Sequence, residues 1–159
     1  MIVGIVAGVQ ANPSFTNCQV SGNHATGDDA SGGGGVAVVN GAKPRFKAVN
    51  VKGNTATLSG GGVLVSGSGS DPTFQQCNIS SNSAITGFDA TSVGGGGGLQ
   101  VKNSAKPRFY ECDFRYNTAA NSGGVLVKTT GSVALFQACT FDRNDAEVRI
   151  IQGHAHVTH

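Results

Sequence analysis

Apolar and polar positions alternate along this chain over short stretches, break, and then start again. One kind of stretch is a glycine followed by two apolar positions two apart: Val36 and Val38, Val63 and Val65, Leu99 and Val101, Val125 and Val127. A period of two predicts a strand with those side chains on one face. A second kind is Pro-x-Phe, with Pro13, Pro44, Pro72 and Pro107 each two before a phenylalanine. Proline lacks an N–H, so it suits a strand start or corner. The third kind places Cys or Val two before an apolar residue, as in Cys18-x-Val20, Val49-x-Val51 and Cys77-x-Ile79. No stretch has a 3.6-residue period with helix caps, so strands joined through helices are excluded.

These pieces recur as one phrase, repeated five times. Its anchors are Phe15, Phe46, Phe74, Phe109 and Phe136. Three places on stand Cys18, Val49, Cys77, Cys112 and Cys139; eight places on stand Asn23, Asn54, Asn82, Asn117 and Asn144; an alanine closes each phrase. Such a repeat predicts a solenoid. The fold class expected is all-β: a parallel β-helix of about five three-stranded coils forming a single domain over 1–159. A partial coil (1–12) precedes repeats at 13–43, 44–71, 72–106, 107–133 and 134–159. Gly4, Ile5 and Ala7 align with Gly35, Val36 and Val38, so the opening apolar stretch is read as a partial strand. It is too short to span a bilayer and makes a poor signal peptide.

Phe and Cys stand three apart, which breaks the alternation and demands a bend between them. Asn is expected at the next corner, because it tolerates left-handed backbone and its amide can bond neighbouring main chain. Stacked coils would place Phe on Phe, Cys on Cys and Asn on Asn in columns, the asparagines bonding from coil to coil. Length variation between repeats falls between the alanine and the glycine-led strand. The inserts are long at 26–34 and 85–97. Ala42-Lys43-Pro44-Arg45-Phe46 also recurs as Ala105-Lys106-Pro107-Arg108-Phe109, so two coils are the unit of duplication.

Phe114-Arg115-Tyr116-Asn117 and Phe141-Asp142-Arg143-Asn144, with Gly62-Val63-Leu64 and Gly124-Val125-Leu126, resemble the Phe-x-x-Asn and Gly-Gly-apolar signatures of polymorphic outer-membrane protein repeats. The resemblance covers residues 4–146. It implies a right-handed parallel β-helix of the pectin-lyase-like type and an extracellular or cell-surface passenger role, as in adhesins. Nothing in the chain matches the C-terminal membrane barrel of that family.

Composition narrows the function classes. The net charge is +2 and the charged residues are 13% of the chain, with the cations scattered and no basic run, so no nucleic-acid partner is expected. There are 25 glycines without a triplet period. The runs at 32–35 and 94–98 lack the Lys-Ser or Lys-Thr ending of a phosphate loop; glycine is read there as a means of turning sharply.

The four cysteines are even in number, which suggests disulfides. Stacked Cβ atoms about 4.8 Å apart exceed the roughly 3.8 Å a disulfide needs, so a thiol ladder is the preferred reading. A zinc site is a remote third, because ladder ligands do not converge. No two acids occupy the same place on neighbouring coils. Arg115 over Asp142 is the best charged pair, and Glu111 with Asp113, taken to alternate on one strand, is a weak carboxylate pair. Neither the two-carboxylate arrangement of glycosidases nor a calcium cluster is visible.

Asp28, Asp29, Phe88 and Asp89 lie on the inserts as candidate binding-loop residues, with solvated turns the plainer reading. His154 and His156 would share a strand face and form a weak metal candidate; a frayed end is the plainer reading. Asn78-Ile79-Ser80 is a glycosylation sequon on an outward position. No cofactor is expected. The exposed strand edges of such a stack predict either a slice of a longer parent chain or copies that pair end to end. The function expected is a non-catalytic structural or adhesive module with a cell-surface or glycan partner. The alternatives are a polysaccharide lyase or hydrolase and a carbohydrate-binding module, for which Tyr110, Tyr116 and Phe88 are the candidate aromatics.

Overall fold

The computed structural model describes residues 5–7, 12–26, 33–85, 95–119, 122–145 and 148–158. The first coil holds β1 (Ile5–Ala7), β2 (Ser14–Thr16), β3 (Gln19–Ser21) and β4 (His24–Ala25). The second holds β5 (Val36–Val39), β6 (Arg45–Lys47), β7 (Asn50–Lys52) and β8 (Thr55–Ala56). The third holds β9 (Val63–Ser66), β10 (Thr73–Gln75), β11 (Asn78–Ser80) and β12 (Ser83–Ala84). The fourth holds β13 (Leu99–Lys102), β14 (Arg108–Tyr110), β15 (Asp113–Arg115) and β16 (Thr118–Ala119). The fifth holds β17 (Val125–Lys128), β18 (Val133–Gln137) and β19 (Thr140–Asp142). β20 (Val148–Ile151) and β21 (His154–Thr158) begin a sixth.

Each strand pairs in parallel with its counterparts on neighbouring coils. The first sheet runs β1-β5-β9-β13-β17-β20, the second β2-β6-β10-β14-β18-β21, the third β3-β7-β11-β15-β19 and the fourth β4-β8-β12-β16. The register keeps every phrase on top of the next, with Phe15 on Phe46, Phe46 on Phe74, Phe74 on Phe109 and Phe109 on Phe136. A three-stranded coil therefore understates the structure. The two residues after each asparagine of the first four repeats form a short fourth strand, too brief to show any period in the sequence.

The bend between Phe and Cys is a single left-handed residue: Asn17, Ala48, Gln76, Glu111 and Ala138 all have φ between 52° and 54°. One such residue turns the chain and restores the inward orientation three places on. The next corner differs from the sequence expectation. Its left-handed residue is the one before the asparagine, namely Gly22, Gly53, Ser81, Tyr116 or Arg143. The asparagine itself turns into the interior.

There it is fully used. Asn82 Nδ2 donates to Asn117 Oδ1 at 3.0 Å and to the Val51 carbonyl at 2.9 Å. Asn82 Oδ1 accepts from Asn54 Nδ2 at 3.0 Å and from the Asn54 backbone N–H at 2.9 Å. Asn54 and Asn117 repeat the pattern, and Asn23 and Asn144 complete the row. Two donors and two acceptor sites are thus satisfied at each central asparagine, as a buried amide requires.

The core is two aromatic columns that meet. Successive phenylalanines of the main column stack with centroids 5.1, 4.5, 4.7 and 5.1 Å apart. Phe114 and Phe141 stack in the neighbouring column at 5.1 Å and present their edges to Phe109 and Phe136. Aromatic contacts of these geometries add about 0.5–1.5 kcal/mol each beyond burial.

The first sheet differs from the others. Its inward residues join the core, yet its outward column, Ala37, Leu64, Gln100 and Leu126, is buried as well. Burial on both faces explains why Val36–Val39 and Val125–Val127 read as continuous apolar runs. The glycines leading into these strands also have a different role from the expected sharp turn. A Cβ on Gly34 would lie 2.1 Å from the Gly61 carbonyl oxygen, and one on Gly61 would lie 2.4 Å from that of Ser83. Close approach of coil to coil, not left-handed backbone, excludes a side chain here.

Candidate functional site

Strand alternation sends Phe74, Phe109 and Phe136 of the second sheet inward and their neighbours outward. Thr73, Gln75, Tyr110 and Gln137 stand on that outer face; with Glu111 and Ala138 at its corner they line a groove of about 370 Å³. Tyr110 lies between Gln75 and Gln137 in the sheet register. The left-handed backbone at Glu111 carries its carboxylate outward, where Gln76 Nε2 donates to it at 2.9 Å. The groove thus offers one aromatic ring, amides, a hydroxyl and one carboxylate, a set suited to hydrogen bonding and ring stacking.

The carboxylates do not converge. A corner separates Glu111 from Asp113 on β15, so the two do not alternate on one strand. Arg115 stands above Asp142 in the register. Its guanidinium, however, pairs with Asp113 on its own strand, Nη2 to Oδ1 at 3.1 Å. Asp142 Oδ2 instead lies 3.8 Å from Arg143 Nε. A side chain two places along a strand is within easy reach on the same face, which is why the local pair forms.

The four thiols are free. Cys77, Cys112 and Cys139 occupy consecutive coils of one column, while Val49 separates Cys18 from them. Cys77 and Cys112 are buried, and Cys18 and Cys139 are half-buried. Each thiol donates to a main-chain carbonyl, as in Cys77 to Gln75 at 3.3 Å and Cys112 to Tyr110 at 3.2 Å. The acidities of the three neighbours split. Cys112, flanked by two sulfurs and desolvated, is pushed well up. Hydrogen bonding from Cys112 draws Cys139 down to about 7. The same interaction lowers Cys77, against the opposing effect of burial.

His154 and His156 are both exposed on β21, which pairs in register with β18, so this segment is ordered strand rather than a frayed end. Among the described residues no group of three or more His, Cys, Asp or Glu could hold a metal. Asn78 is less outward than its column suggests: it is half-buried, with Oδ1 buried and unpartnered. Tyr116 is exposed at a corner, where its hydroxyl meets Arg143 Nη1 at 2.6 Å and its ring lies 5.5 Å from the guanidinium carbon. Asp28, Asp29, Phe88 and Asp89 lie outside the described residues. The groove was not foreseen, because Tyr110 taken alone gave no aromatic row; the signal for it was the outward position directly after each Phe.

The family model for the right-handed β-helix region matches residues 2–158. Together with the stacked parallel sheets, this defines the protein as a member of the right-handed β-helix family, with the pectin-lyase-like arrangement of coils. Comparison with curated proteins and with solved structures gives no match.

Proposed function

We propose that this chain is a non-catalytic structural and adhesive module of a cell-surface or filament-forming protein, acting outside the cell. It would stack coil on coil, with a second copy or with further coils of a larger parent chain, and present an outward strand face to a partner. The observation that carries the reading is the state of the sixth coil. Ile150 lies over Val127 and Val157 over Phe136, so both stand in core columns, yet each is 47% exposed. Another coil laid on β20 and β21 would bury both side chains and pair the open strand edges, which are otherwise templates for association. The separation of Glu111, Asp113 and Asp142, each drawn to its own neighbour, favours binding over catalysis. Light scattering over a dilution series tests this, with Ile150→Asp as the perturbation. Concentration-dependent growth that the variant abolishes is expected; a strict monomer at high concentration would overturn the stacking part. Release of new chain ends from a polysaccharide would overturn the non-catalytic part.

A second reading, a carbohydrate-binding module, draws on the groove beneath Tyr110, whose amide and hydroxyl lining fits a hydroxyl-rich ligand.

A further inference from the structure

The thiol column is a reactive cluster that the adhesive reading leaves unused. Cys77, Cys112 and Cys139 stand on consecutive coils, at the bend between the second and third sheets. The main-chain ladder holds them one above the other: the Asp113 N–H donates to the Cys77 carbonyl and the Thr140 N–H to the Cys112 carbonyl, both at 2.9 Å. Each sulfur therefore has a sulfur on the next coil, about 4.8 Å away by coil spacing. Cys18 does not belong to this group, because Val49 occupies the coil between it and Cys77.

That spacing is too wide for a disulfide. Nor do stacked sulfurs converge as tetrahedral zinc requires; among the described residues no group of three or more ligands could hold an ion together. The column suits a third geometry. A soft monovalent ion with a filled d shell takes two thiolates in a straight line. At about 2.3 Å per metal–sulfur bond, the length zinc makes to thiolate, two collinear bonds span about 4.6 Å, close to the rise of one coil. Thiolates are also the ligands that soft ions select. The protons can leave without orphaning a partner. Cys77, Cys112 and Cys139 donate S–H to main-chain carbonyls, those of Gln75, Tyr110 and Gln137 among them. Each of these carbonyls already accepts a main-chain N–H, from Ala48, Gln76 and Glu111 respectively. Cys77 and Cys112 lie within the hydrophobic core, which keeps competing water away, and the half-buried Cys139 gives an ion its entrance.

We propose that this column binds copper(I) or silver(I), each ion lying between two stacked sulfurs, Cys77 with Cys112 or Cys112 with Cys139. Binding one ion displaces two thiol protons to solvent and leaves a bis-thiolate with a single negative charge. A second ion shares Cys112 and displaces the third proton, so the charge does not change again. Filling both gaps therefore places no more charge in the core than filling one. Because protons are released, affinity rises with pH. The site lies inside the rod, apart from the faces and ends that the adhesive reading uses.

The test is native mass spectrometry of the reduced full chain, loaded without oxygen with Ag(I) and, in a second arm, with Cu(I). Excess glutathione is present to strip ions from single thiols. Retention of one or two ions is expected, with a sulfur-to-metal absorption band in the ultraviolet and two sulfur neighbours by X-ray absorption. Zn(II) should not be retained. Cys112→Val should retain no ion, because Cys77 and Cys139 are then about 9.6 Å apart. Valine already fills this column at Val49, and circular dichroism reads whether the variant folds. Cys77→Val combined with Cys139→Val also leaves no pair and should retain none, which keeps the test decisive should Cys112→Val fail to fold. Cys77→Val or Cys139→Val alone keeps one gap and should hold one ion, while Cys18→Val should match the unaltered chain. Retention of neither ion, retention undiminished in Cys112→Val or in the double variant, loss in Cys18→Val, or equal retention of Zn(II) would each overturn the proposal.

Discussion

At the scale of single residues, buried polar groups determine what can change. The Asn82 side chain makes four hydrogen bonds, so Asn82→Ala leaves two donors on Asn54 and the Val51 carbonyl without theirs, while Asn117 Oδ1 keeps the Asn82 backbone N–H. Each buried orphan costs about 1–3 kcal/mol, so a loss of at least about 3 kcal/mol is expected in urea denaturation. Asn144→Ala, at the less buried end of the row, should cost less. Gln100 is the opposite case. It is fully buried with neither amide atom bonded, between Leu64 and Leu126 in its column. Gln100→Leu should therefore raise stability by about 1–3 kcal/mol, the cost of an unmatched buried polar group; an unchanged denaturation midpoint would show that the amide is satisfied. Among the thiols, Cys139, with its acidity near 7, should be alkylated ahead of Cys112 in the native protein at pH 8. Mass spectrometry of the labelled peptides reads the order, and reducing the pH below 7 should slow Cys139 as its thiolate is protonated.

At the scale of elements, strands of two to five residues are held by register rather than by length. Their hydrophobic alternation, the Phe-to-Cys interval and the recurring asparagine were all readable in the chain, because each reflects a side chain forced inward at a fixed place on the coil. The fourth strand was not, since two residues such as Thr55–Ala56 carry no period. Nor was the reason for the glycines, which depends on how closely one coil approaches the next. Two substitutions separate the explanations. Gly53 has φ +64° and open space where a Cβ would stand, so Gly53→Ala should cost about 1 kcal/mol of backbone strain. Gly61 would push a methyl to 2.4 Å from the Ser83 carbonyl and 2.5 Å from that of Gly97. Gly61→Ala should therefore be far more damaging, by several-fold in free energy or by failure to fold, read by circular dichroism and thermal melting.

At the scale of the molecule, the sequence disclosed the solenoid but not its surface. The outward positions repeat at most every second coil, as Arg45 and Arg108 do, and their row with Thr73 appears only once the coils are in register. Composition suggested scattered cations, and the coils keep them divided among the sheets: Arg45, Lys47 and Arg108 on the second, Lys52 and Arg115 on the third, Lys102, Lys128 and Arg149 on the first. The carboxylates show the converse, since Glu111 and Asp113 are close in sequence but parted by a corner. The asparagine row adds a consequence for assembly. The amide-to-amide bonds all run one way: Asn23, Asn54, Asn82 and Asn117 each donate Nδ2 to the asparagine oxygen of the next coil toward the C-terminus. The rod is therefore polar, like an arrow. Two rods that met tip to tip would confront donors with donors, whereas a shared heading lets the chain of amides run on. Any assembly built through these ends should grow in one sense, without a two-fold axis to stop it.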